Sequence, residues 1–135
     1  MNDHHAIRLA LRKQLLTVSG LPAAKQWENQ TFTPPTDGSP WLRETLLPAG
    51  EQFVASSMWE ATGLVQYDLM YPMGDSIEDP DALADAVSQV FRPPKTIGSA
   101  TKVIIDRAER GAGQVTDNVW YMLSVRIRWR AYAYS

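Results

Sequence analysis

Apolar and polar residues alternate most cleanly from Asn118 to Tyr134. Val119, Tyr121, Leu123, Val125, Ile127, Trp129, Ala131 and Ala133 hold the odd positions, and Ser124, Arg126, Arg128 and Arg130 hold even ones. Successive side chains of a strand point to opposite faces, so this spacing makes a long strand with one dry face and one arginine-bearing face. A helical period of 3.6 would scatter the arginines around a cylinder. The β-branched and aromatic residues suit a half-buried pleated surface, and one wet face implies an antiparallel type of sheet.

Other stretches are read the same way. Residues 3–18 predict a helix capped by Asn2 or Asp3, with Ile7, Ala10, Leu11, Leu15 and Val18 as its apolar stripe and Gly20 and Pro22 beyond its end. A short strand is expected over Lys25–Thr31, then a loop through Pro34, Pro35 and Asp37-Gly38, then a strand from Trp41 to Leu47 closed by Pro48. Ala49 to Thr62 shows no clean period and reads as a long connection, mobile in the isolated subunit. Alternation resumes from Gly63 to Tyr71. Asp79 reads as a helix cap with Pro80 at the first helical position. Leu83, Ala84, Val87, Val90 and Phe91 line the helix that follows, and Pro93-Pro94 ends it. A strand over Thr101–Ala108 and a hairpin connection through RGAGQVTDN lead to the final strand. The order is αβββαββ, or αββαββ without the first short strand. It predicts an α+β fold: a single mostly antiparallel β-sheet, two α-helices packed on one face, and one domain over residues 1–135.

Composition narrows the function classes. A formal charge of −2 and a pI of about 5.6 disfavour a general nucleic-acid binder. The absence of cysteine excludes thiol catalysis, disulfides and cysteine-ligated zinc. No apolar run has the length of a membrane span, and the charged N-terminal stretch does not read as a signal peptide.

Candidate chemistry is sparse. There is no G-x-S-x-G, no H-E-x-x-H and no P-loop, and RGAG is followed by neither a lysine nor a helix. His4 and His5 have no third ligand nearby and point about 100° apart on a helix. Asp75, Glu78, Asp79, Asp81 and Asp85 lack the spacing of a calcium loop and suit the positive end of a helix dipole. The expectation is no catalytic, cofactor-binding or metal residues. Arg126, Arg128 and Arg130 share a face, and at least one is expected to pair across the sheet with Asp68, Glu44 or Asp106. The row either blocks unwanted strand pairing or meets acids of a neighbouring subunit or partner. Phe53 and Trp59 either fold back on the core or form partner contacts. A different class of reading is a small ligand-binding or enzymatic domain, its pocket between sheet and helices lined by some of Trp27, Trp41, Trp120 and Trp129.

Four stretches, in order, carry a resemblance that spans nearly the whole chain. They are WENQTFTPPTDGSPWLRETLLP (Trp27 to Pro48), GLVQYDLMYPMG (Gly63 to Gly74), ALADAVSQVF (Ala82 to Phe91) and VWYMLSVRIRWRAY (Val119 to Tyr132). Together they resemble the tail terminators and tail-completion proteins of tailed bacteriophages, relatives of the lambda-type tail terminator. The resemblance implies a non-enzymatic virion protein that forms a homo-hexameric ring on the tail tube. Such a ring ends tube growth and offers a surface to the head-completion or connector protein. Its implied partners are copies of itself, the tail tube protein and the head-side connector, with no cofactor, no membrane and at most passive contact with DNA. The implied location is the virion tail, after assembly in the host cytoplasm, or the bacterial cytoplasm if prophage-encoded. Arg126, Arg128, Arg130, Asp68, Phe53 and Trp59 are the candidate interface residues.

Overall fold

The computed structural model describes residues 4–74 and 76–134, without the side chain of Tyr134. The elements are α1 (His4–Leu15), β1 (Ala24–Gln26), β2 (Trp41–Ala55), β3 (Met58–Pro72), α2 (Glu78–Val90), β4 (Lys95–Ile97), β5 (Val103–Arg110), β6 (Gln114–Thr116) and β7 (Trp120–Tyr134). All strands join one curled, half-barrel sheet in the order β1-β2-β3-β7-β5-β4, with β6 also on β7. The sheet is mixed rather than wholly antiparallel, because β1 runs parallel to β2 through Ala24↔Trp41 and Gln26↔Arg43.

β7 is the central strand. It pairs β3 along its entire length on one side and β6 and then β5 on the other. Its inward residues Leu123, Val125, Ile127, Trp129 and Ala131 are buried, as the alternation predicts. They meet Leu42 and Leu46 of β2, Val65, Tyr67 and Leu69 of β3, and Val103 and Ile105 of β5 in one core. Ile7, Leu11 and Leu15 of α1 and Leu83, Ala84 and Val87 of α2 close over the same core, so both helices lie on one face. Each large apolar side chain buried there contributes about 1.5–3 kcal/mol. A smaller cluster of Trp41, Met70, Trp120 and Met122 sits on the opposite face with Phe32 against it.

Several boundaries differ from expectation. α1 ends at Leu15, and Val18 is buried from the turn that follows; its proposed caps Asn2 and Asp3, like Asp75, lie outside the described residues. α2 begins at Glu78 with Ile77 at its cap, so Asp79 and Pro80 stand inside the first turn. The Ser76 hydroxyl accepts the Glu78 N–H at 3.0 Å, which removes the need for an Asp79 cap. Pro48 does not end β2. It stands where β2 has no strand on its outer side, next to a bulge at Ala49, and both settings tolerate a missing N–H. Ala49 to Thr62 is therefore not a loose connection but the outer half of a long β2–β3 hairpin. Phe53 pairs with Trp59 and Ala55 with Met58, leaving a two-residue turn, Ser56-Ser57, with Ser57 at φ 64°. The expected turn over RGAGQVTDN holds the extra strand β6 and then a tight turn at Asp117 and Asn118, both at positive φ, where the Val119 N–H donates to the Thr116 carbonyl at 3.1 Å.

Candidate interaction surface

One ion cluster sets α1 on the sheet. Position 44 alternates with Leu42 and Leu46 on the inward face of β2, so the Glu44 carboxylate lies beneath α1 with its side chain at 0% exposure. Arg12 donates to it through Nε at 2.8 Å and Nη2 at 2.7 Å, and Arg8 through Nη1 at 3.3 Å. Arg8 also donates to Glu28 at 2.7 Å, and Glu28 accepts the Leu46 N–H at 2.8 Å. Burial works to raise the Glu28 carboxyl, and the bonds from Arg8 and Leu46 overcome it, leaving its pKa below the ordinary value. The bond to Glu44 raises the Arg12 guanidinium, which also sits 4.7 Å over the Trp27 ring. α1 thereby reaches β2, while Ala10 lies close to Gly98 after β4, so the helix spans the mouth of the curled sheet.

The other face carries no helix. Strand register lays it out as rows across β2, β3, β7 and β5. Arg43, Asp68 and Ser124 form one row, Thr45, Gln66, Arg126 and Glu109 the next, and Leu47, Leu64, Arg128 and Arg107 the third. Asp68 is 1% exposed and accepts from Arg43 Nε at 2.9 Å, Gln66 Nε2 at 2.8 Å and Ser124 Oγ at 2.6 Å. Its acceptor capacity is used inside the chain, so it organises the face from below. Of the three expected carboxylates only Asp106 reaches the arginine row, 3.0 Å from Arg130 Nε. Glu44 is on the far face with Arg12, and Asp68 pairs with Arg43. Arg126 donates to the neutral Gln66 at 3.0 Å. Arg128 has no hydrogen-bond or ion-pair partner among the described residues.

A bulge sharpens this imbalance. Between Ile105 and Arg107 the β5 register slips by one residue, so Arg107 stands directly opposite Arg128. Like charges facing each other across a ladder are destabilising, and among the described residues Arg107 has the half-buried Glu109, at 3.1 Å, as its ion-pair partner. Leu47, 46% exposed, lies two strands away in the same row. An apolar residue beside under-compensated guanidiniums is the composition of a surface that meets something else.

The hairpin arm is the second feature. Every β2 residue from Leu47 to Ala55 is exposed, and only the start of α1 touches this half, where His4 Nε2 lies 3.0 Å from Glu51 Oε1. Phe53, 57% exposed, stacks on Trp59 with ring centroids 3.9 Å apart. These rings therefore neither join the core nor stay apart; they cover each other on the arm. The arm's opposite side is polar. Gln52 donates to Glu60 at 3.0 Å, the Tyr132 hydroxyl donates to Glu60 at 2.8 Å, and Arg130 donates to that hydroxyl at 3.2 Å. The hydrogen bond from Tyr132 holds the Glu60 carboxyl low, and Asp106 raises Arg130. At the other end of β3 and β7 a separate exposed apolar group, Met73, Ile77, Val115 and Val119, escaped sequence reading because none of its members shares an element with another.

The tryptophans do not build a ligand pocket. Trp129 is in the helix-side core, Trp41 and Trp120 meet edge-to-face on the other side, and Trp27 stacks under Arg12. Among the described residues no three His, Asp or Glu side chains converge as a metal site.

A family model for the phage tail terminator protein matches residues 6–129. The chain belongs to the phage tail terminator family. It is thus a structural component of a phage tail. A search of curated proteins finds no match to this chain. A solved structure aligns with it at a TM-score of 0.74 and 19% identity, covering 100% of this chain and 99% of that one, and so shares its fold.

Proposed function

We propose that the protein caps the tail tube as a homo-hexameric ring, ending tube growth and presenting a joining surface to the head-side connector. Family membership supports the setting, and the under-compensated arginine row on the open face carries the reading. Arg128 and Arg107 face each other without an adequate acid in the chain, and an acidic surface of a neighbouring copy or tail partner would relieve them. Rings form when two different patches of one subunit meet and the rotation closes. The partners are copies of this chain, the tail tube protein and the head-completion or connector protein. Assembly takes place in the host cytoplasm, and the finished ring stays in the virion tail. DNA passes through the lumen without tight binding, in keeping with the net charge of −2.

Tube elongation tests the proposal. Purified tube protein is polymerised with and without this chain, and lengths are measured by electron microscopy after fresh tube subunits are added. Capped tubes keep their length while uncapped ones grow. Unchanged growth at saturating protein rules out the capping role.

A further inference from the structure

The open sheet face carries more positive charge than its own carboxylates balance. Asp68 and Asp106 are taken by Arg43 and Arg130. That leaves Arg107, Arg126 and Arg128 with Glu109 as the carboxylate in their rows, and Glu109 already pairs with Arg107. Arg128 faces Arg107 across the ladder, and Arg126 donates to the neutral Gln66. Leu47 lies exposed in the row of Arg128. A lone exposed charge needs no explanation, but guanidiniums set opposite one another are unfavourable until an anion lies over them.

The same chain holds the matching surface on its other side. α2 opens with Glu78, Asp79 and Asp81. Arg110 holds Asp81 and Asp85, whereas the exposed carboxylates of Glu78 and Asp79 take no hydrogen bond or ion pair among the described residues. The helix dipole offsets only about half a charge there. Next to them is a cleft of 210 Å³ lined by Met73, Ile77, Val115 and Tyr71 among others, with no cation among the described residues. Burial first and Asp79 second raise the Tyr71 hydroxyl, which places Asp79 beside that wall. This end is thus an apolar patch rimmed by acid, and the arginine row is a basic patch with an apolar residue in it. The two cannot meet within one chain, because α2 packs on the helix-side core while the row projects from the opposite face of the sheet.

We propose that the open sheet face of one copy docks on the Glu78–Asp79 end of the next, with Leu47 against Met73 and Ile77. The occupant of the arginine row is a second copy of this chain. Complementary charge selects the pairing, and because the two patches differ the contact is heterologous. Each copy then gives its row to one neighbour and its α2 end to the other, which is how a ring closes by rotation. This inference rests on the ring reading and names the contact that makes it.

Charge reversal in two separate chains tests the contact. Arg107→Glu/Arg128→Glu makes the row acidic while keeping like charge opposite like charge, and Glu78→Lys/Asp79→Lys makes the α2 end basic. All four residues are exposed, and a cooperative melt shows that the fold survives. Ring formation is followed by native mass spectrometry and, with purified tail tubes, by electron microscopy. Each variant alone should need at least about tenfold more protein than the parent to form rings, because like charges then face each other across the contact. An equal mixture should recover rings near the parent's concentration with the two variants in alternation, since each reversed patch meets a reversed patch and each original an original. Variants that assemble alone as the parent does overturn the contact and leave the ring reading standing. Loss from the row variant, with the α2 variant unaffected, means that an acidic tail partner covers the row, and overturns the proposal. Loss from both without recovery in the mixture means that the patches do not meet, and overturns it too. A parent that stays monomeric with tubes present overturns both readings. Where a reversal unfolds the chain, Arg128→Gln and Asp79→Asn, singly and combined, carry the test: coupled losses are expected, and additive ones overturn the contact.

Discussion

Replacing Glu44 with glutamine removes the negative charge beneath α1 and keeps the side chain's volume. The carboxylate takes two bonds from Arg12 at 2.8 and 2.7 Å and a longer one from Arg8 at 3.3 Å. Hydrogen bonds to charged groups contribute about 1.5–3 kcal/mol each. Glutamine retains one carbonyl oxygen for Arg12 but turns an N–H₂ toward the other guanidinium N–H. The arginine side chains are 19% and 23% exposed, so they recover part of their hydration when the charge goes. The net loss is then about 2–3 kcal/mol, below the full cost of an abandoned buried charge. For a chain of this size that lowers Tm by about 8–12 °C. Thermal melting followed by circular dichroism reads it directly, with Glu44→Leu/Arg12→Leu as the companion variant. A well-packed apolar replacement of the pair should recover most of the loss, because the desolvation of both charges disappears with them. A Glu44→Gln protein that melts within about 2 °C of the parent would refute the claim that this cluster seats α1.

Three further outcomes follow from the same geometry. Glu28 has a folded pKa below its ordinary value of 4.5, so its contribution is complete above that pH and is lost as pH falls through the lowered folded value; urea midpoints should fall more steeply under acid for the parent than for Glu28→Gln. At Gly63 an added Cβ would stand 2.7 Å from both the Leu47 carbonyl oxygen and Trp129 Cζ2, so Gly63→Ala should cost about 1–3 kcal/mol in urea unfolding, and an unchanged midpoint would show that the strands give way freely. Changing Arg126 and Arg128 to glutamine should leave Tm within about 2 °C, because exposed pairs contribute little, yet weaken capping and flatten its salt dependence; normal capping by this variant makes the row mere surface charge.

The final strand was readable because its two faces see different surroundings, core on one side and water on the other. The hairpin arm was not, for the converse reason: apart from Ala61, its residues lie outside the core, so no alternation is imposed on most of Ala49 to Thr62. Its pairing comes from being laid along β7, a long-range fact absent from any local window. Amide exchange separates the two pictures, since β3 residues Trp59 to Thr62 should be protected between two strands while a mobile loop would exchange throughout. Three-residue strands such as β4 and β6 are too short to show a period. Within the candidate surface, the arginine row and its Asp106 partner could be placed from spacing. Arg107 could not, because the bulge after Ile105 turns it to face Arg128. The open sheet face gives Asp68 the pattern of a surface group, and only the structure shows Arg43, Gln66 and Ser124 closing around it. Glu44 was the missed signal: a carboxylate between Leu42 and Leu46 on an inward face needs a buried cation, and Arg8 and Arg12 stand one helical turn apart.

Electron cryomicroscopy of tail tubes incubated with the protein tests the capping claim most directly. The account predicts one six-fold ring at a single end of each tube, with the open sheet face buried against a neighbouring copy or the tail partner. Protein bound along the tube wall, at both ends alike, or as isolated subunits would contradict it.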